Sequence, residues 1–118
     1  MAAPDADRVR AVAVLRRLLD LTRTDSLDWR KRGRRPYAYE VDLPSGNVEI
    51  GTADDDGAAP YDLSIYSAGP ELELVFVLSG GIDDEDVFEE LSELWRRVAR
   101  KVSGVDSTLD GLLKDLGG

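Results

Sequence analysis

The chain has 118 residues, with 15 Lys and Arg against 24 Asp and Glu for a net charge of -9, and it contains neither cysteine nor histidine. Without cysteine there are no disulfides, thiolate nucleophiles or Cys-type zinc sites, and without histidine no imidazole ligand and no relay that depends on one. A chain of this length can bury one core without a covalent staple, so a single α+β domain over residues 1–118 is expected.

Charge is divided along the chain. Residues 1–35 hold ten cations and five anions, residues 36–95 hold sixteen anions and no Lys or Arg, and residues 96–118 hold five cations and three anions. The long anionic block repels nucleic-acid phosphate and attracts basic partners. The opening residues Met1–Asp5 lack the cationic and apolar pattern of a signal peptide. No apolar run approaches the roughly eighteen residues that span a bilayer, so a cytoplasmic protein without membrane contact is expected.

Val9, Val12, Leu15, Leu18 and Leu19 recur at three- and four-residue steps and predict an amphipathic helix from about Asp5 to Thr22. From Tyr37 the period changes to two. Tyr37, Tyr39, Val41 and Leu43 form an inward phase, Pro44-Ser45-Gly46-Asn47 is turn chemistry, and Val48, Ile50 and Thr52 resume the alternation. Tyr61, Leu63 and Ile65 predict a third strand, and Leu72, Leu74, Phe76 and Leu78 a fourth. Asp83 or Asp84 then caps a helix whose apolar stripe is Val87, Phe88, Leu91, Leu94, Trp95, Val98 and Val102. Arg96, Arg97, Arg100 and Lys101 match the negative end of its dipole. Asp106 and Ser107 are expected to cap a short last helix carrying Leu109, Leu112, Leu113 and Leu116, whose leucines require either the domain's own core or another subunit. The order α-β-β-β-β-α-α predicts a two-layer sandwich, a four-stranded antiparallel meander with helices on one face.

The stretch Trp29-Arg30-Lys31-Arg32-Gly33-Arg34-Arg35-Pro36 gathers Arg30, Lys31, Arg32, Arg34 and Arg35 beside Trp29, Tyr37 and Tyr39. Cations and stacking rings are what single-stranded nucleic acid needs, which makes this loop a candidate nucleic-acid grip. The competing reading is a solvated helix-to-strand loop saddled onto the molecule's own acidic face.

Asp54-Asp55-Asp56-Gly57 starts like a calcium loop but places Ala58 and Ile65 where ligands belong, so no metal is expected. The glycines form no phosphate-cradling pattern and nothing singles out a pair of carboxylates, so neither a cofactor nor a catalytic residue is expected.

The outward phase of the sheet carries Ala38, Glu40, Asp42, Glu49, Asp62, Ser64, Tyr66, Glu71, Glu73, Val75 and Val77. Read as a partner surface, Tyr66, Val75 and Val77 are its apolar centre. Glu40, Glu49, Glu71 and Glu73 are a rim that speeds encounter with a basic protein.

Leu27-Asp28-Trp29, Tyr61-Asp62-Leu63-Ser64-Ile65-Tyr66, Leu91 through Arg100, and Gly104-Val105-Asp106 through Leu109-Asp110-Gly111-Leu112-Leu113 resemble a family of small bacterial proteins of about this length, actinobacterial in type. The resemblance implies no activity, ligand or catalytic residue. The expected function is therefore that of a non-enzymatic accessory, chaperone-like or immunity-type domain that binds a basic protein through its acidic sheet face. Nucleic-acid binding through Arg30–Arg35 is the alternative, and association of two copies is left open.

Overall fold

The computed structural model describes residues 4–33, 35–79 and 85–117. Helix α1 (Pro4–Arg23) leads into five strands, β1 (Arg30–Lys31), β2 (Tyr39–Leu43), β3 (Gly46–Thr52), β4 (Tyr61–Ser67) and β5 (Leu74–Ser79). Helices α2 (Glu85–Ser103) and α3 (Val105–Asp115) follow. The strands form one antiparallel sheet in the order β1-β2-β3-β4-β5.

The α+β class and the meander agree with the sequence, but the strand count does not. The fifth strand is β1, where Arg30 stands opposite Glu40 and Lys31 opposite Tyr39. Two adjacent cations carry no apolar alternation, so periodicity is blind to this pairing. The element order is accordingly α-β-β-β-β-β-α-α.

The inner face of the sheet is sealed by α1 and α2. Leu15, Leu18 and Leu19 from α1, and Val87, Leu91, Leu94 and Val98 from α2, pack with Val41, Val48, Ile50, Leu63 and Leu78 from β2 to β5. Each such side chain contributes about 1.5–3 kcal/mol by leaving water. Trp29 closes the end of this core. Its indole N–H donates to Thr22 Oγ1 at 3.0 Å, and the Thr22 hydroxyl donates to Leu18 O at 2.6 Å.

The two packed helices run in the same direction. Arg16 Nε meets Glu90 at 3.0 Å, Arg23 meets Glu93 at 2.8 Å, and Lys101 Nζ meets Asp25 at 2.5 Å. Positions further along α1 thus pair with positions further along α2.

Three local expectations are corrected. Tyr37 is not an inward strand residue: it sits before β2 at φ 60°, exposed, with its carbonyl accepting from Trp95 Nε1 at 2.9 Å. The last helix begins at Val105, after a left-handed Gly104 at φ 69°, without a side-chain cap. The expected Asp83 or Asp84 cap lies outside the described residues.

The third correction is a change of phase at β5. Ile65 stands opposite Phe76 and Tyr66 opposite Leu74, so Val75 is skipped in the ladder. Such a bulge places two residues against one and re-aims the side chains beyond it. Leu74, expected inward, joins the outward Tyr66 phase and is 56 % exposed. Val75, expected outward, lines a groove on the helix side with Asp7, Arg10, Ala11, Val14, Ile65 and Phe76.

Helix α3 does not join the core, and its described side chains are all exposed. The radius of gyration is 15.7 Å and the extents are 64 × 35 × 26 Å. A compact chain of this length would have a radius of about 13.5 Å, so the molecule is more extended than that.

Candidate partner-binding face

The outer face of the sheet divides into two halves. Its β1–β3 half begins with the turn after α1, which brings the basic stretch back across β2 and β3. Arg32 N–H donates to Ala38 O at 3.0 Å and fixes the loop as a continuation of β1.

The guanidinium groups then reach the acids below. Arg30 Nη2 lies 2.5 Å from Glu40 Oε1 and 2.6 Å from Asp42 Oδ2. Arg32 Nη1 donates to Glu40 Oε2 at 2.8 Å and to Asn47 Oδ1 at 2.9 Å, and its Nε lies 2.5 Å from Glu49 Oε2. Arg35 binds Glu49 Oε1, donates from Nε to Asp55 Oδ1 at 2.7 Å, and donates from Nη2 to Thr52 O at 2.9 Å. Arg32 also lies over the Tyr66 ring, 4.6 Å from its centroid.

At the centre is Glu49, only 2 % exposed. A carboxylate removed from water is tolerable only when countercharges and hydrogen bonds replace its hydration, and here each oxygen faces one guanidinium. Among the described residues no buried side-chain N or O lacks a hydrogen-bond partner. The acids stabilise their partners in turn. Burial works against the charged form of Arg35, but the Asp55 hydrogen bond and the Glu49 and Asp55 charges outweigh it, so its pKa lies above the ordinary arginine value. Asp42 is held below its ordinary value by the hydrogen bond from Asn47 Nδ2, at 2.8 Å, and then by Arg30.

This half corrects the expected acidic rim. Glu40 and Glu49 do project from the outward face, but the loop covers and neutralises them. Alternation states which way a side chain leaves a strand and is silent on what crosses above it. Three cations of the expected nucleic-acid grip, Arg30, Arg32 and Arg35, are engaged in the same network. Lys31 is exposed and makes no ion pair with a described residue, and Arg34 lies outside the described residues. Trp29, expected to flank the grip, is buried in the core.

The β4–β5 half is different. Tyr66 is half-buried, and beside it Leu74 and Val77 are exposed on the outward side, with Val77 in register with Ser64. Glu71 and Glu73 stand in the connection before β5, exposed, and neither makes an ion pair with a described residue. Of the residues expected to form a partner surface, Tyr66, Glu71, Glu73 and Val77 therefore remain accessible around one patch, and Val75 leaves it for the helix-side groove. Leu72 and Leu74 are the residues that the sequence pattern misses, because both fall on its inward phase and only the bulge turns Leu74 outward.

Among the described residues no group of three or more carboxylates is arranged to hold a metal ion. No helix among them is long and apolar enough to cross a membrane. Comparison with protein-family models, curated proteins and solved structures finds no match to this chain.

Proposed function

We propose that this chain is a non-enzymatic protein-interaction domain, accessory, chaperone-like or immunity-type, whose docking surface is the β4–β5 half of the outer sheet face. The observation that carries this reading is the pairing of exposed Leu74 and Val77 beside Tyr66 with Glu71 and Glu73, which no described cation neutralises. Apolar side chains give such a patch its desolvated centre, and unpaired acids at its border steer a basic partner toward it. A chain without histidine or cysteine has few means of catalysis, which favours a binding role.

Nucleic-acid binding through Arg30, Lys31, Arg32, Arg34 and Arg35 has weaker support. A phosphate backbone would have to displace Glu40, Glu49 and Asp55 from guanidiniums already bonded to them.

The test is photo-crosslinking in the native host from a reactive analogue placed at Leu74, with the same analogue at exposed Ala53 as control. The expected result is one discrete protein adduct from position 74, lost on Val77→Arg and weakened at raised salt by Glu71→Lys with Glu73→Lys. Identical adducts from positions 74 and 53, or none from either, would overturn the reading.

A further inference from the structure

The sheet sorts the basic stretch by face. Arg30 stands opposite Glu40 and Lys31 opposite Tyr39, and opposed residues of an antiparallel pair send their side chains to the same side. Arg30 and Arg32 thereby reach the acids of the outer face, whereas Lys31 goes to the helix side with Tyr39. There it lines a hollow of about 360 Å³ with Pro36, Tyr37, Tyr39, Val102 and Ser103, where the sheet edge meets the last turn of α2.

Lys31 is the one charge among the described residues that line this hollow, and its ammonium makes neither an ion pair nor a hydrogen bond with a described residue. The phenol hydroxyls of Tyr37 and Tyr39 likewise make no hydrogen bond to a described residue. The two phenols are neighbours, since the Tyr39 pKa is raised first by burial and then by Tyr37. By contrast, the Ser103 hydroxyl already donates to Arg100 O at 3.0 Å.

The rings are fixed from behind. Tyr37 lies at φ 60°, a conformation that an aromatic residue adopts only where its surroundings impose it. Trp95 Nε1 donates to its carbonyl at 2.9 Å, and its ring lies so close over Gly57 that a Cβ there would come within 3.1 Å of it. Trp95 also packs against Tyr39, with ring centroids 6.3 Å apart. Walls set in place before a ligand arrives reduce the ordering cost of binding.

The chemistry of the hollow selects its occupant. The last turn of α2 presents the negative end of the helix dipole, so an anion is tolerated only at the Lys31 end. One ammonium beside two phenol donors suits a single carboxylate. A phosphate is ordinarily held by several guanidinium or backbone N–H donors, and no arginine is among the described lining residues. The tyrosine rings, Pro36 and Val102 supply flat apolar walls, and the volume suits a body of one or two fused rings.

We propose that this hollow binds a small aromatic carboxylate, with the carboxylate on Lys31 Nζ and the ring against Tyr37 and Tyr39. The site lies on the opposite side of the sheet from the outer-face patch and does not depend on it.

The experiment is a titration of the nitrogen-15-labelled full chain with 2-naphthoate at low salt, followed by amide NMR shifts. Saturable binding with a Kd of about 1 mM or below is expected, with the largest shifts at Lys31, Tyr37, Tyr39, Val102 and Ser103. The neutral isostere 2-naphthamide should bind about tenfold or more weakly, Lys31→Gln should weaken 2-naphthoate by a similar factor, and Lys31→Arg should restore most of the affinity. Lys31 is exposed, so unchanged amide shifts away from the site check that both variants are folded. The proposal is overturned by no saturable binding up to about 10 mM, by shifts centred elsewhere, by equal affinity for the amide, or by a Lys31→Gln variant that binds like the wild type.

Discussion

Replacing one oxygen of Glu49 by an amide leaves the shape of its site unchanged and removes the charge that Arg32 and Arg35 share. Breaking a buried ion pair from one side leaves the other side uncompensated, and the guanidiniums here are still partly wetted, so Glu49→Gln should cost about 2 kcal/mol. A lowered urea midpoint with an unchanged slope checks this. A second residue-scale effect concerns acid. The hydrogen bond from Arg23, with help from Arg97, holds the Glu93 carboxyl at about 2, against an ordinary value of 4.5. Because the folded value is the lower one, the contribution is complete above about pH 4.5 and is lost as pH falls from there toward 2. Thermal melts across that window should show a steeper loss for the wild type than for Glu93→Gln, in which this group no longer titrates.

Elements differ in how far the sequence discloses them, and the difference has physical causes. The stripe Val87, Leu91, Leu94 and Val98 is read at once from its period and is fully buried. By contrast, β1 is two cations long and can be found only through its partner, β2. The bulge opposite Tyr66 is equally silent: alternation continues through Leu72, Leu74, Phe76 and Leu78 as though the strand were regular, and the ladder breaks that phase. The covering of Glu40 and Glu49 is the saddled-loop reading of the basic stretch, and its one signal in the sequence is the cationic block standing next to the anionic one. Gly46 illustrates a constraint of another kind. A Cβ there would fall 2.3 Å from Tyr66 O, a main-chain atom that cannot withdraw without parting β3 from β4. Gly46→Ala should therefore destabilise by at least about 2 kcal/mol. At Gly111 in α3 a Cβ meets nothing within 4 Å, so Gly111→Ala should leave the melting temperature of the body unchanged or slightly raised. Thermal melts of the two variants side by side check both statements.

At the scale of the whole molecule, a net charge of -9 describes no particular surface. Arg30, Arg32 and Arg35 of the basic block are spent on half of the acidic sheet face, the α1–α2 seam is laced by Arg16–Glu90 and Arg23–Glu93 pairs, and Glu71 and Glu73, unpaired among the described residues, remain beside the apolar β5 patch. The account depends on that partition. Carbodiimide labelling of carboxylates in the native protein, resolved residue by residue by mass spectrometry, tests it most directly. Glu71 and Glu73 should react rapidly, with Glu49 essentially unlabelled and Glu40 slow until urea unfolds the chain. Labelling of Glu49 and Glu40 at the rate of Glu71 and Glu73 under native conditions would contradict it.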